Sequence, residues 1–201
     1  RQDEFISIIQ AMKETGIVPD FITIDGAEGG TGAAPLEFID YMGMALADAL
    51  IFASKVLKEY GLRDQIRLMA SGKIITGFDI AKAMSLGADA CYSARGMMFA
   101  LGCIQALQCD SGKCPVGIAT QDKNLYKGLD VTDKSVRVAH FHNNTLKAFA
   151  EFIGACGFDN PKAITPNVFY RRIDHKTNES FASLFFSDKE NIATTEKITL
   201  N

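Results

Sequence analysis

The 201-residue sequence predicts an α/β fold with about three parallel strands, on three observations. Short β-rich runs recur at 20–25, 66–70 and 88–93, each runs into a glycine-bearing or polar turn, and helical segments separate them. Strand, loop and helix in that alternation is how right-handed crossovers build a parallel sheet. Three strands are too few for a closed barrel of eight, which takes about 250 residues, so the pattern fits a small open sheet or the second half of a barrel.

Each element has its own signal. Segment 3–15 carries Phe5, Ile6, Ile8, Ile9 and Met12 at helical spacing, with Asp3 and Glu4 where the helix dipole favours negative charge and Gly16 as its stop. Asp20 to Asp25 reads as a strand, and Gly26-Ala27-Glu28-Gly29-Gly30-Thr31-Gly32 is too glycine-rich for a regular element. A helix is expected at 45–60 from Leu46, Leu50, Ile51, Val56 and Leu57, ending at Gly61; Ile66 to Ala70 follows as the second strand. Thr76-Gly77-Phe78-Asp79 has the form of a capping box ahead of a helix at 78–86. After the third strand, Arg95-Gly96 opens another helix, 103–128 reads as an irregular cysteine-bearing loop, 134–156 as a long helix and 161–201 as a polar extension.

Composition excludes several classes. With 47% hydrophobic and 22% charged residues the chain has apolar material for a core and is not a disordered polymer. Twenty-one basic residues against 24 acidic ones leave a net charge of -3 and no basic stripe, so no nucleic-acid partner is expected. No apolar run approaches the roughly 18 residues of a membrane span. Arg1-Gln2-Asp3-Glu4 does not resemble a signal peptide, which makes the cytoplasm the expected compartment, and a first residue other than Met suggests an excised piece of a longer chain. Five cysteines in that setting argue against a disulfide framework.

Three features carry chemistry. Cys103, Cys109 and Cys114 stand at C-x5-C-x4-C spacing among turn residues, with Pro115 after the last thiol. Thiolates on an irregular loop suit an iron–sulfur cluster or zinc, because soft ligands must converge while backbone amides face the sulfurs. Three is one short of a four-thiolate site, leaving Cys91, Cys156, His140 or His142 as a fourth ligand, and three reduced cysteines acting as small apolar residues is the plainer alternative. His140 and His142, two apart on a helix, point to different faces and read as ordinary helical residues. Ser71-Gly72-Lys73 and Ala94-Arg95-Gly96 form the second feature: turns after successive strands, each leading towards a helix N-terminus, where amides and a cation suit a phosphate group. Two structural turns are the alternative. In the third, the glycines of 26–32 let backbone approach a flat ligand, with Glu28 or Thr31 in reach of a substrate. Its spacing matches neither a nucleotide-binding P-loop nor a dinucleotide fingerprint.

Together the segments Asp25 to Pro35, Gly61-Leu62-Arg63-Asp64, Gly102-Cys103, and Cys114-Pro115-Val116-Gly117-Ile118-Ala119-Thr120-Gln121 resemble the FMN-binding synthase domain of glutamate synthase, in particular the shorter stand-alone glutamate-synthase-like proteins of bacteria and archaea. The resemblance runs from residue 1 to about 156. It implies the C-terminal portion of a (β/α)8 TIM barrel over 1–160, with the cluster loop at 103–121 and a C-terminal extension at 161–201. It also implies FMN and a [3Fe–4S] cluster as cofactors, and reduction of 2-iminoglutarate, formed from 2-oxoglutarate and ammonia, to L-glutamate. The electron donor would be ferredoxin or a partner flavoprotein.

By position, the resemblance makes Cys103, Cys109 and Cys114 cluster ligands. Ser71, Gly72 and Lys73, with Ala94, Arg95 and Gly96, would surround the FMN phosphate, and Gly29, Gly30 and Thr31 would lie beside the isoalloxazine. The family's active-site lysine belongs upstream of Arg1, so no catalytic residue is assigned. Two other readings stand beside this one: a non-catalytic iron–sulfur or interaction module, and an FMN-dependent or IMP-dehydrogenase-like barrel acting on another substrate. As an excised set of strands, the 201 residues are expected to expose Ile22, Ile24 and Leu68 and to form a homo-oligomer without glutamate-forming activity.

Overall fold

A computed structural model describes residues 1–27, 37–38 and 41–187. The described residues fall into two compact units, divided between Ile164 and Thr165. In the first, α1 (Gln2–Thr15), β1 (Phe21–Asp25), α2 (Leu46–Glu59), β2 (Arg67–Ser71), α3 (Gly77–Ser85), β3 (Ala90–Tyr92) and α4 (Arg95–Leu101) follow one another, then a loop, the short α5 (Lys123–Tyr126) and the long α6 (Val131–Ala155). The strands form one parallel sheet in the order β1-β2-β3. The α/β class and the three parallel strands are therefore those the sequence predicts. Among the described residues no helix is long and apolar enough to cross a membrane.

Local signals explain where the elements end. Gly16 closes α1 in the left-handed region at φ 69° and its N–H donates to the Met12 carbonyl. The Thr76 hydroxyl accepts from the Asp79 N–H at 3.2 Å while the Asp79 carboxylate accepts from the Thr76 N–H at 2.9 Å, a complete capping box at the head of α3.

Register decides which face of the sheet is covered. Ile22 pairs with Leu68, and Ile24 with Ala70 and Cys91, so these rows point to one side. There α1 and α2 close over them: Ile9, Val56, Leu57, Ile66 and Leu68 form a buried cluster against which Ile22 and Ile24 pack. The expectation that Ile22, Ile24 and Leu68 lose their cover is thus corrected, since Leu68 has no exposed surface. The bare face is the other one, with Phe21 and Arg67, Thr23 with Met69 and Ala90, and Asp25 with Ser71 and Tyr92. Phe21 is 54% exposed and Tyr92 45%.

Helix α6 packs across α3 and α4. Two glycines permit this. A Cβ at Gly77 would stand 2.5 Å from the Phe149 backbone nitrogen, and one at Gly96 would stand 2.8 Å from Ser93 Oγ and 3.1 Å from the Phe141 ring. Phe78 and Phe152 meet edge to face beside the first of these contacts, with centroids 5.7 Å apart.

The segment whose composition reads as a polar extension contains a small unit of its own. Its hairpin pairs β4 (Tyr170–Arg172) with β5 (Asn178–Ser180), followed by α7 (Phe181–Phe186). Phe169 stacks on Phe181 at 5.6 Å, and both are buried. Asp174 accepts from the Lys176 and Thr177 amides at 2.7 and 2.8 Å, which holds the turn and keeps its carboxyl below the usual range.

Candidate functional site

In a parallel sheet the loops that collect ligands leave the carboxyl ends of the strands. Here those ends are Asp25, Ser71 and Tyr92, adjacent in one row. The Gly26 N–H donates to the Ser71 carbonyl at 2.8 Å, and the Ser93 hydroxyl donates to the Ile74 carbonyl at the same distance, tying the three exits together. The two turns singled out in the sequence are therefore neighbours. Gly72 turns the chain at φ 144°, and Lys73 follows in the left-handed region at φ 44°, a conformation that costs a residue with a Cβ about 1 kcal/mol. Gly72 and Lys73 line a cleft of about 80 Å³ with Ile74, Asp79 and Lys82. Lys82 is absent from the sequence-based site; its signal was its place one turn beyond Asp79 on α3, which only the cap geometry aims at this cleft.

Gly96 sits against Phe141, so its lack of a side chain has a packing cause independent of any phosphate. Gly29, Gly30 and Thr31, like Glu28, lie outside the described residues.

The cysteine loop begins where α4 stops. Gly102 at φ 99° ends the helix, its N–H donating to Phe99 O and that of Cys103 to Met98 O, both at 2.9 Å. This pair of bonds turns Cys103 back beside Met98. At the far end Gly117, at φ 81°, brings the chain so close to α5 that a Cβ would stand 2.6 Å from the Leu125 carbonyl oxygen. The outcome is one cavity lined by Cys103, Cys109, Cys114, Met98, Val116 and Arg95. Cys114 is buried, and hydrogen bonds from the amides of Ala119, Val116, Ile118 and Gly117 hold its thiol below the ordinary value. Cys103 Sγ accepts from the Gln105 N–H at 3.4 Å.

Cys91, Cys156, His140 and His142 stand elsewhere. Cys91 is on the helix-covered side of β3, where burial pushes its thiol up to about 11. Cys156 follows α6, and both histidines are exposed on that helix. All five cysteines are free thiols. Among the described residues no group of three or more His, Cys, Asp or Glu side chains stands at the spacing of a formed metal site. The three loop thiols nonetheless share a cavity, with amides turned on one sulfur. As a donor set that fits an iron–sulfur cluster in type.

A parallel three-stranded sheet with its strand ends tied together, followed by a loop that brings three thiols to one cavity, defines the class as a parallel α/β protein with ligand-type loops at its strand ends. The comparisons with known proteins place it further. Residues 4–159 match the conserved region in glutamate synthase. The glutamate synthase large subunit-like protein YerD of Bacillus subtilis is 42% identical over 173 residues, covering 86% of this chain and 33% of that protein. The archaeal glutamate synthase [NADPH] of Methanocaldococcus jannaschii is 40% identical over 148 residues, or 74% and 29% of the two chains. The chain belongs to the glutamate synthase family, and it spans about a third of the length of these relatives. A solved flavocytochrome b2 with sulfite bound covers 97% of this chain and 41% of its own at 13% identity and TM-score 0.45.

Proposed function

We propose that these residues are the C-terminal part of a glutamate synthase-type oxidoreductase barrel, over 1–160, which reduces 2-iminoglutarate, formed from 2-oxoglutarate and ammonia, to L-glutamate. The observation that carries the reading is the convergence of Cys103, Cys109 and Cys114 on one cavity, within a chain of this family. Those cysteines would hold a [3Fe–4S] cluster, and the amides around Cys114 favour its thiolate. Ser71, Gly72 and Lys73, with Ala94 and Gly96 of the Ala94-Arg95-Gly96 turn, would hold the phosphate of FMN, whereas Arg95 of that turn lines the cysteine cavity. The joined turns support that assignment, offering backbone amides and the Lys73 cation on one side of the strand ends. Gly29, Gly30 and Thr31 would border the flavin ring. FMN would supply hydride chemistry when bound, and this chain's residues would bind, orient and shield it. Electrons would come from ferredoxin or a flavoprotein subunit. The bare face of the sheet, with Phe21, Met69 and Tyr92, would be barrel interior.

The test uses the full-length protein, purified without oxygen. It should contain FMN and about three irons per chain and form glutamate from 2-oxoglutarate and ammonia with a reduced donor; Cys109→Ala should lose the iron. A protein with zinc and no iron would remove the cluster from the assignment. FMN and iron without glutamate formation would instead favour a barrel oxidoreductase with another substrate.

A further inference from the structure

Arg95 stands in sequence between Ala94 and Gly96, in the turn associated with a phosphate, yet α4 carries it to a different place. Residues three apart share a helix face, and Arg95 and Met98 both line the cavity of Cys103, Cys109 and Cys114. Gly96 and Ala100 are the buried face of the same helix, Gly96 against Phe141. The cleft at Gly72 draws its cations from Lys73 and Lys82. Between Cys103 and Cys114 the sequence has one cation, Lys113, and it is exposed, whereas Arg95 is half-buried.

On the reading that the three cysteines hold an iron–sulfur cluster, we propose that Arg95 is a positioning residue of that site, where its guanidinium offsets the charge of the thiolates, and not a phosphate ligand. Three thiolates lining one cavity with Met98 and Val116 would gather negative charge on a half-buried loop. An added electron increases that charge, so a neighbouring cation stabilises the reduced form more than the oxidised one and raises the reduction potential. Guanidinium remains protonated throughout, so its own charge does not change when the cluster takes up an electron.

Full-length protein prepared without oxygen provides the test, with released FMN, iron content and the midpoint potential of the cluster measured on each variant by reductive titration followed by electron paramagnetic resonance. Arg95→Gln should keep FMN and iron but take up an electron about tenfold less favourably, about 59 mV for a one-electron couple. Arg95→Lys, keeping the charge, should restore most of the difference. Loss of FMN from Arg95→Gln at an unchanged potential would overturn the proposal in favour of the phosphate. Should that variant not accumulate, Met98→Lys adds a cation to the same wall and should raise the potential, and a wild-type value would overturn it equally. Wild-type protein without iron sinks the underlying cluster reading, and this proposal with it.

Discussion

Arg63 Nη2 lies 3.0 Å from Asp89 Oδ2 at the amino ends of β2 and β3, the opposite end of the sheet from the candidate site. The same guanidinium donates to the carbonyls of Gly87 at 2.8 Å and Ile66 at 3.2 Å, while the carboxylate accepts from the Leu68 N–H at 2.8 Å. Side chain and backbone thus fasten two parallel strands where no turn can join them. Removing one partner strands the other in a half-buried place. Asp89→Ala should therefore cost about 2 kcal/mol, read as a lower urea midpoint at unchanged slope. A shift within error of zero would mean that water replaces the carboxylate.

Face assignment can be tested with two substitutions. Leu68→Ala opens a cavity under α1 and α2 and should destabilise by about 3 kcal/mol. Phe21→Ser, on the bare face, should leave stability within about 1 kcal/mol but weaken self-association of the isolated 201 residues. Among the described residues β1 and β3 each pair on one side only, and the bare rows add apolar surface, so sedimentation equilibrium should find the isolated chain as a dimer or larger. A compact monomer contradicts this.

Gly77→Ala should be more damaging than an exposed helix position would suggest. Alanine is the better helix former, but its Cβ would meet backbone atoms of α6 at Phe149 and Thr145, between 2.5 and 2.9 Å. Backbone cannot rotate away, so α3 and α6 must part, at a cost of about 2 kcal/mol or more. Thermal melts that show a gain in stability would exclude the contact.

The two perturbed thiols give opposite pH dependences. Burial raises Cys91 from 9.0 to about 11, so the unfolded chain loses this proton first and stability falls as pH rises through that window, by up to ~2 kcal/mol. Cys114 is lowered, so its contribution is fully present above the ordinary thiol range and is lost as pH falls through the folded value. Cys91→Ala should flatten the alkaline decline in denaturant midpoints measured from pH 8.5 to 11, and a decline of unchanged slope would assign it to other groups.

Much of the scaffold was legible because its signals are local. Gly16, the Thr76 and Asp79 pair and the spacing of the β-rich runs act within a few residues, and the structure uses them as the sequence suggests. The face of the sheet was not. Phe21 and Ile22 are both apolar neighbours, and only the position of α1 and α2 decides which of them is covered. Two packing facts were beyond the sequence for a related reason: a ring from α6, some 45 residues on, stands where a Cβ at Gly96 would be, and Arg95 lines a cavity of the loop that follows it. Contacts between distant segments have no local signature.

Lys73 shows what the strand ends hold in reserve. A side-chain-bearing residue at φ 44° is placed where glycine would rest without effort, so the fold retains there a conformational debt that a substitution can release. Lys73→Gly should raise the melting temperature by a few degrees, at about 1 kcal/mol, while weakening phosphate retention in the full-length protein. A turn selected for durability alone would favour the glycine. If Lys73 holds the phosphate as proposed, the lysine that stands there sets a local tension between resilience and ligand capture, two residues beyond the end of β2, where the chain leaves the sheet.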